Sequence, residues 1–277
     1  MAGTRFSYVK TFEQPDPLLP ETYMVLRLDG HGFHKFSDTH GFAKPNDERA
    51  LQLMDAAAAA VMDEFRDVVL AFGESDEFSF LLRKKCTLYN RRQSKILSTL
   101  VSFFTSVYVL RWPAFFPDTP LQYPPSFDGR IVLYPAQQHV RDYFAWRQAD
   151  THINNLYNTT FWALVQQGGQ STTQAHETLK GTVASGKNEM LFSRFGINYA
   201  TLPARFRKGS VLVREVPKVE PEPDVDAAGG VCETDARQDA VPPTTSAPSK
   251  RQKKVVVVLH EDIIENQFWD DRPELLA

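Results

Sequence analysis

Asp67-Val68-Val69-Leu70-Ala71-Phe72-Gly73-Glu74-Ser75-Asp76-Glu77-Phe78-Ser79-Phe80-Leu81-Leu82 reads as two strands joined by a short acidic turn. Apolar and β-branched residues flank a Gly-Glu-Ser-Asp connection, which makes the pair a hairpin. Upstream, Tyr23-Met24-Val25-Leu26-Arg27-Leu28 has strand character and ends in Asp29-Gly30-His31-Gly32-Phe33. Between these strands, Ala43-Lys44-Pro45-Asn46-Asp47-Glu48 starts a helix, and Ala50 to Phe65 continues it with helical spacing and many alanines. Downstream, Arg91 to Arg111 carries Ile96, Leu97, Leu100, Val101, Phe104, Val107 and Tyr108, the pattern of a second amphipathic helix. Trp112-Pro113 is expected to stop it. Arg130-Ile131-Val132-Leu133-Tyr134 is a fourth strand. The order β-α-β-β-α-β is the ferredoxin-like split unit, an α+β class. Polymerase and cyclase palm domains are variations on it, an analogy at the level of fold alone.

Residues 1–135 are thus read as a palm-like catalytic core. Residues 136–216 extend it: helical from Val140 to Gln167, a short helix from Ser171, another over Asn188 to Phe195, then a turn and strand at Arg207 to Val213. From Pro217 to Lys254 the composition shifts to Pro, Asp, Glu, Ala, Ser and Thr. It predicts a disordered insertion, because it offers too little apolar surface to offset ordering entropy. Residues 255–277 form a C-terminal segment that resumes order at Val255 and ends near Phe268-Trp269.

The 277 residues are 42% hydrophobic and 23% charged, a globular balance. A net charge of -3 gives no global basic field, so a polynucleotide would be met by local patches. The two cysteines, Cys86 and Cys232, suggest neither a disulfide framework nor a zinc site and suit a reducing compartment. The polar N-terminus is not read as a signal peptide, and no apolar run is read as long enough to span a bilayer. The expected residence is the cytoplasm. Ser249-Lys250-Arg251-Gln252-Lys253-Lys254 resembles a nuclear-import patch and equally suits a soluble linker, so the nucleus stays open.

Asp29, Asp76 and Glu77 fall at the tips of strands expected to be neighbours. Clustered carboxylates repel and need a cation, and magnesium takes such oxygen ligands while sharing them with phosphates. Two-metal phosphoryl or nucleotidyl chemistry requires this convergence. Either aspartate alone would suit an ordinary turn. Gly30 and Gly32 bracket His31 directly after a strand, where small residues let amides approach phosphate oxygens; the Gly30 carbonyl is a further candidate ligand. His31, His34 and His40 lack a cysteine partner and are read as surface or substrate contacts. Gly181-Thr182-Val183-Ala184-Ser185-Gly186-Lys187-Asn188 nearly matches a P-loop, but Asn188 stands where Ser or Thr should be and the segment follows a helix. Lys187 stays a candidate phosphate contact. Lys44, Arg92, Lys95 and Arg130 are candidates to hold triphosphates.

Several longer motifs resemble the eukaryotic tRNA-histidine guanylyltransferase family. They are Arg27-Leu28-Asp29-Gly30 with Phe33-His34, Phe42 to Asp47, Ser75-Asp76-Glu77, Tyr123-Pro124-Pro125 and Phe127-Asp128-Gly129-Arg130. The most specific is Trp146-Arg147-Gln148-Ala149-Asp150 followed by His152-Ile153-Asn154-Asn155-Leu156-Tyr157-Asn158-Thr159; Lys187-Asn188-Glu189, Asn198-Tyr199 and Arg207-Lys208-Gly209 extend the match. The resemblance implies addition of one G to the 5′ end of tRNAHis. ATP adenylylates the 5′-phosphate, the 3′-hydroxyl of GTP attacks and expels AMP, and pyrophosphate is removed. It implies two magnesium ions on Asp29, Asp76 and the Gly30 carbonyl, with Glu77 supporting them. It implies a guanine-nucleotide pocket at Asp29, Gly30, His31, Gly32, Phe33, His34, Ser75 and Asp76, with Lys44, Arg92, Lys95 and Arg130 on the second triphosphate. His152, Asn158 and Lys187 become candidates for activation or tRNA contact, and a homotetramer without membrane contact is implied. His31 stands where the family often has Arg, Glu74 where it often has Gln, and the 217–254 insertion is longer than expected. Glu74 is expected to add negative charge beside the metal site. The alternatives are a nucleotidyl cyclase and a catalytically silent tRNA-binding protein.

Overall fold

The computed structural model describes residues 4–216 and 254–277; the expected insertion, apart from Lys254, lies outside the described residues. In chain order the elements are β1 (Tyr23–Gly30), α1 (Phe33–Thr39), α2 (Glu48–Glu64), β2 (Val68–Glu74), β3 (Glu77–Leu82), α3 (Gln93–Phe115), β4 (Phe127–Tyr134), α4 (Gln137–Gln166), α5 (Thr172–Leu179), α6 (Ala184–Phe195), α7 (Ala204–Lys208), β5 (Ser210–Glu215), β6 (Val255–Leu259) and α8 (Asn266–Asp270). The strands form one antiparallel sheet in the order β4-β1-β3-β2-β5-β6. Its first four strands are the expected ferredoxin-like unit, and β5 and β6 widen it beyond β2.

Strand alternation assigns the two faces. Met24, Leu26, Leu28, Phe78, Phe80 and Leu82 point to one side and pack on α2 and α3 through Leu53, Ala57, Val61, Ile96, Leu100, Phe104 and Tyr108. Tyr23, Val25, Phe72, Leu81 and Val211 point to the other, beneath Val140, Tyr143 and Phe144 of α4 and the C-terminal Phe268, Trp269, Leu275 and Leu276. The Tyr23 hydroxyl donates to the Leu276 carbonyl at 2.7 Å and ties the chain end to the first strand.

Three expectations need correction. Pro113 does not end α3, which runs on to Phe115. Proline removes one helix donor, but Trp112 stacks on Phe116 with centroids 4.3 Å apart, and Phe42 stacks on Phe116 at 5.1 Å, so packing holds the last turn. α3 is also long and apolar enough, by length and composition alone, to cross a bilayer, contrary to the reading that no run is; here its stripe from Ile96 to Trp112 is spent on the sheet. The near P-loop segment straddles the start of α6, which begins at Ala184, four residues before the expected Asn188.

No side chain of its own caps α3. Asp16 supplies the cap from a distance: its carboxylate accepts from the Ser94 N–H at 2.6 Å and the Arg92 Nε at 3.2 Å. Orphan N–H groups of a first helical turn need such an acceptor.

Candidate active site

The site lies at the sheet end where β1 stops and β2 turns into β3. The Gly30 N–H donates to the Asp76 carbonyl at 3.1 Å and the His31 N–H to the Ser126 carbonyl at 2.9 Å, which draws three loops together. Gly30 and Gly73 are needed for close approach: a Cβ would lie 2.3 Å from the Phe33 ring at Gly30 and 2.1 Å from the Phe78 ring at Gly73. Ser75 turns the hairpin with φ 50°, a left-handed conformation unusual for a residue with a side chain.

Register places one acid from each of four adjacent strands in a single row. Asp29 opposes Asp128 on β4 and Glu77 on β3, and Glu77 opposes Glu74 on β2. Directly opposed residues of an antiparallel pair share a face, and like charges there are destabilising. The compensation is Arg147 of α4, which donates to both Glu77 oxygens at 2.9 Å and to Asp150 at 2.7 Å. Arg27 adds a contact to Glu77 at 3.7 Å.

Glu77 is therefore not gathered with Asp76 as expected. Its carboxylate turns to the α4 side, into the Arg147 clamp. Glu74 is also corrected. Burial pushes its carboxyl up to about 7, the neighbouring Glu77 adds to the rise, and Thr151 and Arg147 oppose it. Such a group does not carry a full charge at neutral pH, and it faces the clamp. Asp76 lies in the turn just before β3, outside the strand alternation, and stands near Asp29, His34 and Tyr108. Burial raises its carboxyl and Asp29 raises it further, against the pull of the Ser75 hydroxyl and its own backbone N–H. The Asp76 carboxylate with Asp29 near it, beside the Gly30 carbonyl, is a hard oxygen donor set that fits a divalent cation. Among the described residues no three His, Cys, Asp or Glu side chains converge for a metal, so a site here relies on this pair and backbone oxygen.

Asp76 and Ser75 form one lip of a cavity of about 410 Å³. Phe33, Phe42, Tyr108, Phe161 and Trp162 give it aromatic walls, and His34, Lys44, Asp47 and Asn158 give it polar points. That size and lining suit a flat heteroaromatic ligand. The Lys44 ammonium contacts Asp38 at 2.9 Å and the Ser37 hydroxyl at 3.2 Å. Asp47 caps α2 and accepts from the Ala43 N–H at 3.0 Å. Burial opposes its ionisation, but Arg49 and these amides hold its carboxyl below the usual range.

Of the expected site residues, Asp29, Gly30, Phe33, His34, Lys44, Ser75, Asp76 and Asn158 gather at this sheet end or in the cavity. His31 and Gly32 lie in the turn entering α1, with Gly32 at φ 66°. Arg92 and Lys95 do not gather there. They head α3, and at 1.5 Å per residue they stand roughly 20–24 Å along the axis from Tyr108, which borders Asp76. Arg130 opposes Arg27 and pairs with Asp128 at 3.4 Å, on the acid-row side of the sheet. His152 packs its edge on Tyr199, and Lys187 donates to the Thr182 carbonyl at 2.8 Å. His40 is buried, with Nδ1 on the Phe36 carbonyl at 2.8 Å and Nε2 accepting from the Gln122 N–H at 2.9 Å, so it fastens a loop. Sequence reasoning missed Tyr108, Phe161, Trp162 and His176 as cavity walls. Their helical spacing signals only a core stripe.

The sequence profile described as tRNAHis guanylyltransferase matches residues 6–135, and that described as the Thg1 C terminal domain matches residues 138–265. The chain is 52% identical over 288 residues to a tRNA(His) guanylyltransferase of Neurospora crassa, covering 100% of this chain and 97% of that one. The crystal structure of the Saccharomyces cerevisiae tRNA(His) guanylyltransferase superposes with a TM-score of 0.73 at 49% identity, over 76% of this chain and 93% of that one. A bacterial Thg1-like protein in complex with ATP shares the fold with a TM-score of 0.69 at 21% identity, over 98% of this chain and 96% of that one. The chain belongs to the tRNAHis guanylyltransferase family and is a nucleotidyltransferase.

Proposed function

We propose that this member of the family adds a single G to the 5′ end of tRNAHis by 3′–5′ nucleotidyl transfer. ATP first adenylylates the 5′-phosphate with loss of pyrophosphate, the GTP 3′-hydroxyl then attacks the tRNA 5′-phosphorus with AMP leaving, and water removes a second pyrophosphate from the new 5′-triphosphate. The observation that carries this reading is Asp76, with the Asp29 carboxylate near it, on the lip of an aromatic cavity of nucleobase size.

Asp29, Asp76 and the Gly30 carbonyl are the residues that would hold two magnesium ions, which supply charge neutralisation on the phosphates and a more acidic attacking hydroxyl. The chain's own groups orient the reactants. Phe33, Tyr108, Phe161 and Trp162 enclose a base and exclude water from it. The Gly30 and His31 N–H groups are held by the Asp76 and Ser126 carbonyls, so the Gly32 amide that follows is the one set for a phosphate oxygen. Lys44, held beside the cavity by Asp38 and Ser37, places its ammonium for a phosphate group. Glu77 takes no part in holding metal; through Arg147 it fixes α4, which carries His152 and Asn158 for the RNA. Arg92, Lys95 and Arg130 are set for a second triphosphate outside this cavity, with Lys187 a contact for RNA or phosphate. The protein works as a homotetramer in the cytoplasm, which sedimentation and fractionation test.

The test is transfer of labelled GTP onto 5′-monophosphorylated tRNAHis with ATP and magnesium, wild type beside Asp29→Ala. One added 5′ G with wild type alone is the expected result. No product from wild type with tRNA binding intact overturns the reading in favour of a silent RNA binder.

A further inference from the structure

The Trp146-Arg147-Gln148-Ala149-Asp150 stretch has a use for Arg147 but none yet for Trp146. The indole is 53% exposed, while Trp112 and Trp269 are buried. Exposed as it is, it is held in place. The Arg147 guanidinium lies 3.8 Å from the ring centroid and covers one face. Tyr143 meets it edge-on at 6.0 Å. Arg147 is itself immobilised by Glu77 and Asp150 and is only 4% exposed. A large apolar ring is thereby kept oriented with about half of the residue's surface in water. Guanidinium on one face leaves the other available to a second planar group.

Its position bears on the chemistry. Trp146 rests on Arg147, Arg147 on Glu77, and Glu77 stands directly across from Asp29 in the sheet. The neighbouring row of the same face holds Arg27 and Arg130, the buried Nε of Arg27 being in ionic contact with Glu77 at 3.7 Å but making no hydrogen bond. An aromatic plate beside guanidinium groups is the pattern that single-stranded nucleic acid meets, bases stacking on rings while the backbone follows the positive charge. The nucleobase cavity is lined by other aromatics and does not include Trp146.

We propose that Trp146 is a stacking platform for the RNA substrate, receiving an unpaired base near the 5′ end on the open face of the indole. The proposal rests on the guanylyltransferase reading for the identity of the RNA. Trp146 positions the strand so that its 5′-phosphate reaches Asp29, and it takes no part in bond making.

The experiment measures binding of 5′-monophosphorylated tRNAHis and Trp fluorescence in wild type and in Trp146→Phe, Trp146→Leu and Trp146→Ala full-length chains. Base–aromatic stacking predicts a rise in Kd of roughly 5- to 150-fold for Leu and Ala, with Phe restoring most of the affinity. GTP affinity and melting temperature are expected to stay at wild-type values, and KM for tRNA is expected to rise more than kcat falls. The RNA-induced quench of wild type is expected to vanish in Trp146→Phe. Unchanged tRNA affinity in Trp146→Leu overturns the platform, as does quenching of Trp146 by GTP or ATP alone. Lost affinity that tracks dissociation into smaller species on sedimentation also overturns it and makes Trp146 a contact between copies of the chain. Wild type that binds and is quenched by tRNA yet adds no G leaves the platform standing and removes the guanylyltransferase reading.

Discussion

Replacing Arg147 by Met strips the Glu77 carboxylate of two 2.9 Å hydrogen bonds and leaves it with Arg27 at 3.7 Å. The side chains are 5% and 14% exposed, so water does little to compensate. Removing one partner of a buried ion pair costs about 3–5 kcal/mol. At about 2–4 °C per kcal/mol for a chain of this size, the melting temperature should fall by about 6–20 °C. Glu77→Leu should cost less, because Arg147 keeps Asp150 at 2.7 Å and the acid row loses a repulsive charge. The double variant should therefore recover at least about 2 kcal/mol relative to the sum of the singles. Thermal denaturation followed by circular dichroism measures all three. Additive effects, or an Arg147→Met cost under about 1 kcal/mol, would refute the clamp. A kinetic corollary separates clamp from metal ligand: in Glu77→Gln the magnesium concentration for half-maximal transfer should match wild type even as kcat drops.

Asp76→Asn should abolish guanylate transfer while leaving the melting temperature equal or higher, since burial and Asp29 both disfavour its charge; a large loss of stability on calorimetry contradicts this. Gly73→Ala should cost about 1–3 kcal/mol in urea denaturation, because a Cβ would meet the Phe78 ring at 2.1 Å. The Asp16 carboxyl is held down at about 2 by the Ser94 hydroxyl and N–H and by Arg92. A depressed carboxyl contributes stability above its unfolded value near 3.8 that is lost as pH falls through about 2. Asp16→Asn should therefore flatten that part of the acid limb, and an unaltered acid profile would show that Asp16 does not cap α3.

The hairpin and the strand ending at Asp29 were legible because alternation and a short acidic turn are local signals. Asp29 and Asp76 could be picked out for the same reason: each sits at a strand end beside small residues. The role of Glu77 was not legible. Adjacent strand positions face opposite ways, and the arginine that claims it arrives from 70 residues along the chain. Arg92 and Lys95 read as phosphate ligands by charge alone, which does not reveal how far the start of α3 lies from Tyr108 and Asp76. Pro113 misled because the stack of Trp112, Phe116 and Phe42 that outweighs it joins separate segments. The cap on α3 was hidden likewise, since Asp16 lies far upstream of Ser94.

The pairing of β5 with β6 sets Glu215 directly across from Val255. The end of β5 and the start of β6 thus lie side by side, at the outer edge of the sheet. Closing such a gap depends only logarithmically on how much chain spans it. By that scaling a flexible connection of about forty residues costs about 2 kcal/mol more closure entropy than a four-residue turn. Polypeptide of widely different lengths can therefore be accommodated at this seam, from a tight reverse turn to a grafted domain. The seam is a tolerant port for tethers, reporters or affinity handles, opening away from the carboxylates that the sheet carries on its inner strands.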